Sequence, residues 1–202
     1  IGKRGQLDFA LVDRHTRLSE LIRAPRYPFA IDHALAERGE RHYQARCASC
    51  HDPASEDHRL HALDEIGTDP NRAKLFDARQ AELYNAFFAG LEVAGYKPPG
   101  EPAVRSTQKY WAPDLAGVWA RAPYLHNGSV RTVRDLLTAP PSRPRVFHRG
   151  TAHYDTDALG FADEGPYVLD TMTEGNSCAG HDYGTDLTDD EKRELIEYLK
   201  TR

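Results

Sequence analysis

Cys47-Ala48-Ser49-Cys50-His51 is the stretch on which the interpretation of this chain turns. C-x-x-C-H is the spacing that fastens a haem covalently to a polypeptide. Two thiols three positions apart in one helical turn can reach the two vinyl groups on one porphyrin edge. The imidazole of His51 then lies beneath the ring and supplies an iron ligand. Cys47, Cys50 and His51 are thus predicted to hold one covalent haem c. A lone C-x-x-C can also serve a thioredoxin-like redox centre or half a zinc site. The first calls for a βαβ context and the second for a further ligand pair at similar spacing, and the sequence displays neither.

Immediately upstream, residues 31–50 read as a helix, with Asp32 as N-cap and Leu35, Ala36, Gly39 and Tyr43 at helical intervals on one face. This helix delivers the haem motif at its C-terminal end. At the other end of the chain, Thr188-Asp189-Asp190-Glu191 has capping-box spacing ahead of Leu195, Ile196, Tyr198 and Leu199, which predicts a terminal helix. Between them, short helices are expected near 80–91, 113–120 and 132–138, separated by Pro- and Gly-rich connections at Pro98-Pro99-Gly100 and Pro140-Pro141. Strands are expected to be nearly absent. Residues 143–184 lack either period and read as a long irregular wrap over the haem. The first 30 residues form a leader with apolar patches at Leu7, Phe9, Leu11 and Val12 and at Leu18, Leu21 and Ile22, able to clasp the domain or bind a partner. The expected organisation is therefore a leader over 1–30 and a mono-haem domain over 31–202, mainly α.

Composition bounds the rest. With 202 residues, 40% hydrophobic and 28% charged, the chain can build one cored domain, and no apolar run approaches membrane-spanning length. A net charge of −5 from interspersed signs leaves no electrostatic footprint for nucleic acid, and haem propionates would add negative charge. A redox partner with a basic docking face fits. Ile1 as first residue, with no signal sequence, is expected of a processed mature protein or a piece of a longer one. Covalent haem attachment takes place beyond the bacterial inner membrane, so a periplasmic or extracellular location follows, and the leftover Cys178 should be buried.

Three sets of residues carry resemblances. Gly39 and Tyr43 ahead of Cys47, with Tyr198 on the last helix, resemble the crossing terminal helices of cytochrome c domains, where a small residue lets the two helices approach closely. The segment Pro123-Tyr124-Leu125-His126-Asn127-Gly128 is similar to one in the bacterial di-haem cytochrome c peroxidase superfamily. There its His is generally a pocket residue and not an iron ligand. A longer likeness, covering about 26–202, is to the rubber-oxygenase-like branch of that superfamily. It runs through Ile66-Gly67-Thr68-Asp69-Pro70-Asn71-Arg72, Leu115-Ala116-Gly117-Val118-Trp119-Ala120, Gly175-Asn176-Ser177 and Gly180-His181-Asp182-Tyr183-Gly184.

That likeness implies a cytochrome c-like haem domain with long irregular loops and a late His on the distal face, the position matched by His181. Gly180 and Gly184 on either side give the backbone freedom to approach a flat cofactor. Met172, the chain's single Met, is the alternative sixth ligand, since a His/Met site has no other thioether to use. Trp119, Tyr124, His126 and Asn127 are assigned to the cofactor pocket, with Trp111 and Arg121 as further candidates. His33, His42, His58, His61, His148 and His153 are expected at the surface or as caps. Two departures from the branch are Arg131 in its Ser-Val-Pro-Thr-Leu motif and Cys178 where Asn is usual. A larger one is that the branch normally carries two haems, whereas one C-x-x-C-H is present here.

The function expected is one-electron transfer by a six-coordinate haem, with no catalytic residue assigned. The alternatives are the haem-bearing half or subunit of a peroxidase or oxygenase, whose second haem lies on another chain, and a docking module of a multihaem assembly.

Overall fold

A computed structural model describes residues 8–55, 60–93 and 103–202. The stretch Pro98-Pro99-Gly100, Leu7 and His58 lie outside the described residues. The chain divides into two compact units, Ile1–Ala24 with Phe76–Thr107, and Pro25–Leu75 with Gln108–Arg202. Helix accounts for 42% and strand for 12%, so helix predominates without excluding sheet.

In the first unit, α1 (Phe9–Leu21) is capped by Asp8, whose carboxylate accepts from Leu11 N, and buries none of its residues. Its second helix spans Ala78–Val93 (α6 in chain order). Asn85 on that helix exchanges two side-chain hydrogen bonds with the Val104 backbone. Leu83 and Phe87 remain exposed.

The second unit contains the core and the haem motif. Helix α2 (His33–Arg46) starts at Asp32, which accepts from Leu35 N, and buries Ala36, Gly39 and Tyr43, three members of the predicted face. The last helix, α8 (Asp189–Leu199), begins with the expected reciprocal capping box between Thr188 and Glu191 and buries Leu195, Ile196 and Leu199. Each fully buried aliphatic of this kind contributes about 1.5–3 kcal/mol. The two helices meet at Gly39, where an added methyl would collide with the Glu194 carbonyl and the Tyr198 Cβ. The Tyr43 and Tyr198 rings pack at 5.1 Å beside this crossing. Arg38 and His42 both bind Glu194 across it, at 2.5 and 3.0 Å.

Helix α2 does not run unbroken to Cys50 as its periodicity suggests. It caps at Cys47, and a short turn, α3 (Ala48–His51), carries the rest of the motif. The remaining helices are short: α4 (Leu63–Ile66), α5 (Asn71–Leu75) and α7 (Val133–Leu136). The helix expected over 113–120 is reduced to a 3-10 turn at Val118–Arg121, because Pro113 opens the segment and Gly117 adopts φ 67° before it.

Strands are the main correction. Three two-stranded antiparallel sheets are present among the described residues: β1 (Leu60–Ala62) with β2 (Lys109–Trp111), β3 (Val146–Arg149) with β6 (Tyr167–Asp170), and β4 (Tyr154–Asp155) with β5 (Gly160–Phe161). The last two structure the supposedly irregular 143–184 stretch. Strands of two to four residues are too short to display a period of two, although Phe147 is buried while its neighbour Val146 is exposed.

Among the described residues no helix is long and apolar enough to cross a membrane.

Candidate haem site

The site is built around the turn that ends the motif. Within it, the amides of Cys50 and His51 both donate to the Cys47 carbonyl, at 3.2 and 2.9 Å. Both thiols therefore sit on a single helical turn. Burial pushes the Cys47 thiol up to about 11, with Cys50 adding to the effect. A C-x-x-C redox pair requires the opposite shift, because the thiolate is the reactive form.

His51 is oriented by its Nδ1, 2.7 Å from the Pro113 carbonyl. A carbonyl can only accept, so Nδ1 carries the proton and the ring's lone pair lies on Nε2, the atom suited to a metal. The backbone just after Pro113 is held by Arg121, whose Nη2 donates to the carbonyls of Asp114 and Ala116 at 2.6 and 3.1 Å. Arg121 thus acts through the loop that aims His51.

The His181 ring stands 6.2 Å from that of His51, centroid to centroid, at an interplanar angle of 50°. Part of His181 remains accessible, but the imidazole is set deeply enough that burial, reinforced by His51, pushes its pKa down to about 4. It is neutral at pH 7, the form in which imidazole binds metals. Its Nδ1 is buried with no hydrogen-bond partner. Tyr183 packs edge-on against the ring at 5.4 Å.

Backbone geometry brings His181 there. Gly180 and His181 are consecutive left-handed residues, φ 71° and 47°. Gly180 lies directly on the Gly67 and Thr68 backbone, where any side chain would overlap, and the His181 amide donates to the Ile66 carbonyl at 2.8 Å. The segments 66–68 and 180–181, far apart in sequence, are in contact.

Two further groups hold the same loop. Asn127 donates through Nδ2 to the carbonyls of Gly175 and Ser177, at 3.1 and 2.9 Å. Arg143, 3% exposed, donates through Nη1 to Cys178 and Gly180 (2.6 and 2.7 Å), through Nη2 to Leu136 and His181 (2.9 and 2.8 Å), and through Nε to Thr138 (3.0 Å). All its acceptors are backbone carbonyls.

The other sequence-derived candidates fall at varying places. Tyr124 is a core residue, and its hydroxyl donates to the carbonyls of Leu159 and Val118, at 3.0 and 3.3 Å. His126 stacks on Tyr110, ring centroids 4.4 Å apart, and its pKa is lowered by burial. Trp119 donates to the Pro25 carbonyl at 2.9 Å and meets Tyr27 and Tyr154 edge-on. Trp111 is 62% exposed and Met172 70% exposed. Cys178 is half-buried, packs on the core and bonds Thr171 at 3.6 Å.

Of the remaining histidines, His148 and His153 are exposed and pair with Asp163 and Glu164. His33 opens α2. His61 departs from the surface assignment. Strand β1 pairs it with Tyr110 and buries it, with Nδ1 on Glu65 at 2.9 Å.

Pro113 and Arg143 were not among the sequence candidates. A carbonyl contact leaves no side-chain signal, and an Arg between Ser142 and Pro144 reads as a solvated loop residue.

The uncharacterized protein y4iM of Sinorhizobium fredii (strain NBRC 101917 / NGR234) is 36% identical over 220 residues, covering 87% of this chain and 50% of that protein. The uncharacterized protein y4iJ of the same strain is 31% identical over 246 residues, covering 89% of this chain and 41% of its own length. The chain thus spans about half the length of the curated relatives it matches. Residues 109–148, which include Pro113, Asn127 and Arg143, match the family described as RoxA-like, cytochrome c-like. That match supports a cytochrome c-like domain in this chain, a kind of domain that binds haem c.

Proposed function

We propose that this chain is a one-electron carrier holding one covalent haem c through Cys47 and Cys50, with His51 and His181 on the two faces of the iron. The observation that carries the proposal is the pair of imidazoles with centroids 6.2 Å apart. Two rings that share one metal ion, at metal–nitrogen bonds of about 2 Å, stand roughly 6 Å apart. The buried, unpartnered Nδ1 of His181 and its neutral state also fit a residue that serves a metal.

When bound, the haem would supply reversible one-electron chemistry at its iron. The protein's part is to fix both imidazoles. Pro113 holds the His51 tautomer, and the left-handed backbone at 180–181 holds the His181 ring. Were both imidazoles to bind the iron, no coordination position would be left for a substrate, which favours electron transfer over catalysis. The exposed thioether of Met172 supports His181 as the partner of His51.

Membership of the rubber-oxygenase-like branch, a periplasmic or extracellular location, and a redox partner with a basic docking face belong to this proposal. So does the division into a leader over 1–30 and a haem domain over 31–202. A second reading has one observation in its favour: the curated relatives are about twice as long. On it, this chain is the haem-bearing part of a larger oxidoreductase.

A pyridine haemochrome assay with ferric and ferrous spectra tests both. One covalent haem, low-spin in both states, is expected, and His181→Ala should turn the ferric form high-spin. An unchanged His181→Ala spectrum alongside an altered Met172→Ala spectrum would refute the ligand assignment. Rapid peroxide or cyanide binding by the wild type would favour the oxidoreductase.

A further inference from the structure

We infer that Arg143 is the positioning residue for the sixth ligand: its guanidinium fastens the 178–181 backbone in the one conformation that presents His181 to His51. The inference rests on His181 being that ligand.

Arg143 is buried, and among the described residues no carboxylate lies in ion-pair contact with it. Guanidinium offers five N–H donors in a planar fork, and here five carbonyls are engaged, from Leu136, Thr138, Cys178, Gly180 and His181. Its direct partners are backbone dipoles, with the carboxylates of Asp182 and Asp135 acting on the charge from beyond contact distance. Two of those carbonyls lie just beyond α7, or at its end, and three lie on the ligand loop, so the side chain joins the segments 136–138 and 178–181.

The loop requires such a fastener. Gly180 and His181 both occupy the left-handed region, which a residue with a side chain such as His181 rarely adopts unless its surroundings hold it there. On one side the amide of His181 is fixed by the Ile66 carbonyl. On the other its carbonyl, and those of Gly180 and Cys178, receive the Arg143 donors. The His181 peptide is thereby gripped at both N–H and C=O, which leaves the imidazole little freedom to swing away from His51.

Lysine cannot replace this fork. It retains the charge but presents a point donor that cannot span both segments. Loss of the guanidinium would take this donor from all five carbonyls.

The test uses holoprotein carrying Arg143→Lys and Arg143→Gln, with His181→Ala as reference and Ile196→Ala as a core variant remote in sequence from the loop. Both Arg143 variants should show a ferric high-spin fraction absent from the wild type. They should also bind cyanide about tenfold faster or more, the population shift worth one lost charge-assisted hydrogen bond. Added imidazole should restore their low-spin bands. Ile196→Ala should lower stability while leaving spectrum and cyanide rate as in the wild type.

Wild-type spectra and cyanide rates in Arg143→Gln, with His181→Ala high-spin, would overturn the role of Arg143 and leave the ligand assignment standing. An unchanged His181→Ala would overturn the assignment and this inference with it.

Should neither Arg143 variant accumulate, wild-type holoprotein in graded urea decides by hydrogen exchange. Sixth-ligand loss should coincide with deprotection of 136–143 and 178–181 together. Ligand loss while 136–143 stays protected would refute the link.

Discussion

Replacing Gly39 by Ala should destabilise the protein, although the same change favours an isolated helix by about 1 kcal/mol. The reason is the crossing of α2 and α8. A methyl at Gly39 would overlap the Glu194 carbonyl and press on the Tyr198 Cβ. The first obstacle is backbone within a helix, so it cannot rotate aside as a side-chain tip could, and the helices must move apart. Overpacking of this kind costs about 1–3 kcal/mol, and a backbone obstacle belongs at the upper end. Setting about 3 kcal/mol of strain against the propensity gain leaves a net loss of about 2 kcal/mol. At roughly 2–4 °C per kcal/mol for a chain of this size, Tm should fall by about 4–8 °C.

Gly90 supplies the internal control. It also lies inside a helix, α6, but nothing stands within 4 Å of the position a Cβ would take. Gly90→Ala should therefore stabilise its helix by about 0.5–1 kcal/mol. Far-UV circular dichroism melts of the two holoprotein variants check the pair. The reasoning is refuted if Gly39→Ala raises Tm, or if both substitutions move it in the same direction.

Two further outcomes concern α8. Thr188→Ala removes the side chain that accepts from Glu191 N and should cost about 1 kcal/mol, read as a lower urea midpoint; an unchanged midpoint would show that the capping box contributes nothing. Glu194 is held below the ordinary carboxylate range by its bonds to Arg38 and His42. Its unfolded form binds more protons in the acid range, so its contribution is present above the ordinary value of 4.5 and is lost as pH falls through the folded value. Glu194→Gln should flatten the acid limb of stability below the ordinary carboxylate value of 4.5, and an unaltered limb in urea titrations at stepped pH would contradict this.

Much of the scaffold is legible in the chain because it depends on local patterns. Asp32 and the Thr188–Glu191 pair announce helix starts, since each satisfies amides within three residues of itself. The face of Ala36, Gly39 and Tyr43 follows from helical spacing. The 143–184 stretch was not legible, because strands of two to four residues carry too little periodicity and pair through tertiary contacts. His61 was misplaced for the same cause: its burial comes from pairing with a strand nearly fifty residues later.

By itself, the sequence determined that two thiols and an imidazole share one short turn, because C-x-x-C-H spacing needs only one helical turn to bring them together. It could not determine which of the other histidines comes to stand 6.2 Å from His51. That outcome depends on the Ile66 carbonyl, the close packing of Gly180 on Gly67 and the five carbonyls around Arg143. These are backbone groups, identical at every position in the chain until folding brings particular ones within hydrogen-bonding reach. Tertiary structure alone makes that selection.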